Sequence, residues 1–213
     1  EASDDYSIRN PKFESYISTI LYLIKNDYAV IKTGFPGLKI NFKHDGFIDY
    51  ANLYRTEFGD IYLHANAEFI IAGGSGNFQI ASCFNRPVLF TNCYDIKVKP
   101  LRRNDIYYPL IYSQNNRSLS VSEMLKGGTL MSSRSNMKRN NIEIIHNTDE
   151  ELKIVTKEMI FNLENNKKYI KERLAYKNLD NKFNSLFDKN HLGYKQKSLI
   201  SKEWLEKYSS LLR

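Results

Sequence analysis

A stretch of about 18 apolar residues is missing from this sequence, and without one no single helix spans a bilayer. The longest apolar patch near the start, YISTILYLI, is broken by Ser18 and Thr19 and falls inside a helical pattern. No basic segment leads into a short apolar core near the first residue, so no signal peptide is visible. Cysteine is scarce. Cys83 and Cys93 are the only two, and they do not form a CxxC pair. Their spacing argues against a thiolate metal site and leaves two reduced thiols of a cytosolic chain as the expectation. His44, His64, His146 and His191 are scattered without ligand spacing, so no metal is expected. The chain opens on Glu1 rather than Met, as a fragment or a trimmed chain does.

What is present is the composition of a soluble globular protein, 42% hydrophobic and 26% charged, long enough to bury one α/β core. The net charge of +7 is uneven. From Asn165 onward there are 12 Lys/Arg against 5 Asp/Glu, which accounts for the whole excess. Those lysines alternate with Asn, Asp and Glu in a helical rhythm. A solvated helical face is the simplest reading, and contact with an anionic membrane surface is the second. Nucleic acid is not expected as a partner.

Phe13, Tyr16, Ile17, Ile20, Leu21 and Ile24 recur at three- and four-residue steps and predict a helix over 11–26. Short strands are expected at 28–31 and 47–50, and a second helix from about Arg55 with Phe58, Ile61, Tyr62 and Ala65 on one stripe. Then come a strand at Phe69–Ala72, a turn, a helix, and a strand at Val88–Thr91. Helices alternating with short apolar strands indicate a parallel sheet covered on both faces. Residues 93–118 read as a long irregular segment that is functional or wraps a neighbour. A short helix at 120–125 stops at Gly127-Gly128, and a loop runs through residue 141. A capped helix starting at NTDEE stripes Leu152, Val155, Met159, Ile160 and Leu163. The tail from Lys167 reads as helical and basic.

The turn Gly73-Gly74-Ser75-Gly76 stands between the strand and the helix that begins near Asn77. Glycine permits positive φ and close backbone approach. The first N–H groups of the helix lack internal partners and carry the positive end of its dipole. With the Ser75 hydroxyl these features form a cradle for a phosphate or diphosphate. A tight strand-to-helix bend is the competing reading. The turn is neither a Walker loop nor a GxGxxG fingerprint. Gln79 lies where its amide reaches a ligand or faces solvent. Asn92 ends the next strand at the same edge or caps a loop.

As a unit, DYANLYRTEFGDIYLHANAEFIIAGGSGNFQIASCFNRPVLFTN resembles a bacterial family of glycosyltransferases encoded among surface-polysaccharide genes. The similarity extends to IRNPKFESYISTILYLIKNDYAVIKTG, to IIHNTDEELKIVTKEM and to SLISKEWLEKYSSLL. The resemblance implies the C-terminal, Rossmann-like half of a metal-independent GT-B fold, binding a nucleotide-sugar as substrate with no cofactor. The acceptor is then a growing glycan, lipid-linked or free, at the cytoplasmic face of the membrane. It places the donor phosphate on Gly74, Ser75, Gly76 and Asn77. Arg55 is a further phosphate partner, or else the partner of Glu57 or Asp60 in a surface ion pair. Gln79, Glu57, Asp60 and Asn92 fall to the nucleotide or sugar, although Glu57 and Asp60 equally suit helix capping. The family's strand ending in His-x-Arg and its acceptor-side domain have no counterpart here, so residues 1–146 are expected to form a donor domain without its first strand. Residues 147–213 are then a helical extension packed on that domain, and no catalytic residue is named. Gly59, in mid-helix, departs from helix propensity. A nucleotide-sugar epimerase and a non-catalytic nucleotide- or sugar-binding module are the alternatives.

Overall fold

Alternation of helix and short apolar strand is what the computed structural model contains, over the described residues 11–34, 36–37, 40–127 and 134–213. After a 3-10 turn at Phe13–Tyr16, helix α1 (Ile17–Lys25) leads to β1 (Val30–Ile31) and β2 (Phe47–Ile48). Two helices, α2 (Tyr50–Leu53) and α3 (Glu57–Asn66), precede β3 (Ile70–Ala72), α4 (Asn77–Cys83) and β4 (Val88–Phe90). Strands β5 (Ile106–Tyr107), β6 (Ile111–Gln114) and β7 (Arg117–Ser118) follow, then α5 (Val121–Lys126), α6 (Arg134–Arg139) and β8 (Ile142–Ile145). The last part holds α7 (Asp149–Glu164), α8 (Asn166–Arg173), α9 (Lys177–Ser185), α10 (Leu192–Lys195), β9 (Leu199–Ile200) and α11 (Lys202–Tyr208).

The central sheet is parallel throughout, in the order β3-β4-β5-β9, with Ile70 opposite Val88, Leu89 opposite Ile106 and Tyr107 opposite Ile200. The expected α/β architecture with helices flanking a parallel sheet is therefore present. All three residues of β4 are buried, as a strand covered on both faces requires. A separate antiparallel sheet, β7-β6-β8, continues from β5 through Tyr108, Pro109 and Leu110.

That continuation corrects the reading of 93–118 as an irregular segment. Its tyrosines Tyr107, Tyr108 and Tyr112 are core residues, and Asn115 and Asn116, both at positive φ, make the hairpin turn between β6 and β7. Strands of two to four residues, interrupted by Pro109, are too short to show a period of two. The loop expected through residue 141 contains α6, and β8 starts directly after it at Ile142, while residues 8–10 and 128–133 lie outside the described residues.

The C-terminal segment is not wholly helical. It supplies β9, which completes the central sheet, and Trp204, which is fully buried in the same core cluster as Phe90 and Tyr107. Trp204 Nε1 donates to the Pro109 carbonyl at 3.0 Å, satisfying its polar end. The α7 stripe is as expected: Leu152, Val155, Met159 and Ile160 are buried, and Thr148 caps the helix in a reciprocal box with Glu151.

The stripe on α3 is different. Phe58 is 75% exposed and Ile61 and Tyr62 also face solvent, whereas His64 is the buried residue of this helix. An apolar stripe alone does not say which face a neighbouring helix covers. Gly59 has a local cause: a Cβ there would overlap the Tyr50 hydroxyl, which donates to the Thr56 carbonyl at 2.9 Å and accepts from the Thr56 N–H at 2.8 Å. Thr56 in turn caps α3 through the Gly59 N–H at 2.9 Å.

Candidate phosphate-binding turn

Strand β3 ends at Ala72 and α4 starts at Asn77, so the glycine turn sits at the carboxyl edge of the parallel sheet. The turn runs alongside the stretch that leaves β4. A Cβ on Gly73 would lie 3.4 Å from the Thr91 carbonyl oxygen, and one on Gly74 would lie 3.2 Å from both Cys93 Sγ and the Tyr94 ring. Those two glycines are there for close approach between chain segments. The expectation of positive φ is not met, since among the described glycines only Gly34 and Gly37 adopt it. Gly76 is different again: a Cβ there would meet nothing within 4 Å.

Gly76 occupies the N-cap of α4 at φ −61° and ψ −17° and has no side chain to cap the first N–H groups. Its carbonyl accepts from the Gln79 N–H at 3.0 Å, and the N–H groups of the half-buried Asn77 and the buried Phe78 are the first of the helix, without an intrahelical acceptor. Ser75 and Gln79 are exposed beside them, and Asn77 is half-buried. The start of α4 is thus open and uncapped, with a hydroxyl and an amide at its rim. An oxyanion there can supply the missing acceptor.

Asn92 has another role. It is fully buried with φ 49°, and it is bound on both sides by Asn147: its N–H donates to Asn147 Oδ1 at 2.8 Å, and its Oδ1 accepts from the Asn147 N–H at 2.9 Å. Its Nδ2 donates to the Tyr16 hydroxyl at 2.8 Å. The carboxyl end of β4 is thereby fastened to the start of α7 and to the turn before α1. These bonds hold Asn92 within the fold, in the manner of the loop-capping reading. Tyr16 and Asn147 were not singled out from sequence, because Tyr16 counts as apolar in a helical stripe and the Asn147 contact spans 55 positions.

Arg55 pairs with Asp60, its Nε and Nη2 each 3.0 Å from Oδ2, which is the surface ion pair rather than a free guanidinium. Asp60 is held in that pair, and Glu57 is exposed in the first turn of α3. The end of α3 lies near the start of β4, where Arg86 Nε donates to the Ala65 carbonyl at 2.6 Å, so α3 begins towards the same sheet edge as the glycine turn. Burial keeps two of the ionisable groups beside the turn neutral. Burial pushes the Cys93 thiol up to about 12 and raises the Tyr16 hydroxyl above its ordinary value. Cys93 is therefore a packing group beside Gly74 and not a nucleophile.

No group of three or more His, Cys, Asp or Glu arranged for a metal ion occurs among the described residues, and no described helix is long and apolar enough to cross a membrane. Comparison with known protein families, with curated proteins and with solved structures finds no match to this chain.

Proposed function

We propose that the chain is the donor-binding half of a GT-B glycosyltransferase, which moves a sugar from a nucleotide-sugar to a growing surface glycan. The observation that carries the reading is the open, uncapped helix start at Gly76, with Ser75 on its rim, at the carboxyl edge of a parallel sheet. That edge is where such sheets take their ligands. The resemblance over residues 49–92 adds the substrate class.

In this reading the Asn77 and Phe78 N–H groups and the Ser75 hydroxyl hold the donor phosphate. As the bond to the sugar breaks, negative charge grows on that phosphate, and the helix start stabilises it in place. Gln79 reaches the nucleotide or the sugar. Arg55 takes part only by exchanging Asp60 for the phosphate. With Cys93 and Tyr16 held neutral by burial, neither serves as the base, and deprotonation of the acceptor falls to the acceptor-side half. Exposed Lys167, Lys171, Lys177 and Lys182 suit a protein resting on the anionic inner face of the plasma membrane.

The test is a thermal-shift series with UDP, GDP, CMP, dTDP and ADP. A ligand at 100 times its Kd adds about 2.7 kcal/mol, which raises Tm by roughly 5–10 °C for a chain of this size. One nucleotide is expected to stabilise the protein, and Ser75→Ala combined with Gly76→Val is expected to remove the shift. A shift that survives both substitutions would overturn the assignment of the turn. A nucleotide that binds at the turn without any glycosyl transfer by the full-length protein would favour a binding module.

A further inference from the structure

The opposite, amino edge of the central sheet carries a cleft of about 560 Å³ between the segments that enter β4, β5 and β9. Three cations line it: Arg102 and Arg103 from the loop before β5, and Lys197 from the segment before β9. They come together because the Leu199 N–H pairs with the Asp105 carbonyl at 3.0 Å and the Lys197 N–H with the Leu101 carbonyl at 3.3 Å. Lys197 and the two arginines are about 95 positions apart in sequence, and only the β5–β9 pairing brings them to one place.

One carboxylate lines the cleft; it attracts the Arg102 charge, but its oxygens are taken up by backbone N–H groups and it makes no ion pair with Arg103 or Lys197 among the described residues. Asp105 is buried, and its Oδ1 and Oδ2 accept from the backbone N–H groups of Val88 and Arg102, each at 2.9 Å. It serves to close the turn in which the Asp105 N–H meets the Arg102 carbonyl at 3.1 Å, placing Arg103 at the exposed tip. Arg102 sends one nitrogen to the Ser82 carbonyl, in the last turn of α4. Neither the Arg103 guanidinium nor Lys197 Nζ has an ion pair or hydrogen bond among the described residues. Like charges held around one cleft repel each other, a cost that a bound anion removes. Pro87 and the half-exposed Leu101 give the cleft an apolar wall.

We infer that this cleft binds a small soluble phosphate ester or diphosphate, gripped by Arg102, Arg103 and Lys197 with its carbon skeleton against Pro87 and Leu101. Guanidinium groups take phosphate oxygens in pairs, and an ammonium adds a point charge. The site lies across the sheet from the glycine turn and does not depend on the function proposed for that turn.

Calorimetric titration of the whole chain with inorganic pyrophosphate at low salt tests the inference. Saturable binding that weakens as salt rises is expected. Arg103→Ala together with Lys197→Ala should weaken it by at least about tenfold, equivalent to about 1.4 kcal/mol. Both side chains are exposed, so the fold is expected to survive, and unchanged Tm checks this. In a Ser75→Ala, Gly76→Val background, which removes the phosphate contacts proposed for the turn, saturable binding should remain, and Arg103→Glu added to that background should abolish it. Absence of saturable binding, full binding by the double alanine variant, or loss of binding through the Gly76 change would each overturn it.

Discussion

Replacing Asn92 by alanine removes a side chain that ties β4 to the start of α7 and to the turn before α1 at the carboxyl edge, and the structure allows the cost to be worked out. Asn147 loses the acceptor for its buried N–H, which costs about 1–3 kcal/mol when left unsatisfied. The Tyr16 hydroxyl loses a donor at 2.8 Å, about 0.5–1.5 kcal/mol. Alanine also takes on φ 49°, at roughly 1–2 kcal/mol where asparagine is tolerated. Together these destabilise the protein by about 2.5–6.5 kcal/mol, a fall in Tm on the order of 10 °C for a chain of this length. Asn92→Gly keeps the hydrogen-bond loss but avoids the backbone cost, and should unfold about 1 kcal/mol later than the alanine variant. Urea denaturation followed by circular dichroism measures both. If Asn92→Ala unfolds within about 1 kcal/mol of the wild type, the fastening role is wrong and Asn92 returns to the list of ligand contacts.

At the glycine turn, Gly74→Ala should cost about 1–3 kcal/mol by overpacking against Cys93 and Tyr94, whereas Gly76→Ala should change stability by less than about 1 kcal/mol; thermal melts of the two distinguish them. Lys99 is buried against Phe183 and Phe187 with its Nζ 2.6 Å from Asn184 Oδ1, and burial lowers its pKa to about 8. Between that value and about 10.4 the unfolded chain binds more protons than the folded one, so stability should rise with pH across this window. Lys99→Met should lack that rise, and a wild type whose pH slope matches the variant's from pH 8 to 10 would contradict the burial of a charged lysine. Trp204 is the single tryptophan and sits in the shared core, so its fluorescence should red-shift at the same urea midpoint as the circular dichroism signal. An earlier fluorescence transition would show that the C-terminal segment unfolds by itself.

Several local features were legible because their causes are local. The capping box at Thr148 and Glu151, the α7 stripe and the turn from β3 into α4 depend on residues within one or two turns of each other. The stop of α4 is of the same kind: Asn85 at φ 61° and the bond from the Arg86 N–H to the Ala81 carbonyl at 2.9 Å close the helix just before Pro87. The hairpin turn at Asn115-Asn116 is equally local, but Pro109 and the tyrosines around it give the region the composition of a loop.

The sequence by itself determined the α/β alternation, the helix ends and the presence of a glycine turn between strand and helix, since each follows from backbone sterics, capping or hydrophobic period. Only the tertiary structure decided which side chains remain available. It sealed Asn92 against Asn147, paired Arg55 with Asp60, turned Phe58 to solvent, seated Gly59 beneath the Tyr50 hydroxyl, and left Gly76 facing open space. It also brought Lys197 beside Arg103 across the β5–β9 pairing. Such outcomes depend on contacts between residues tens of positions apart, and chain closure over that distance leaves no periodic trace in the sequence.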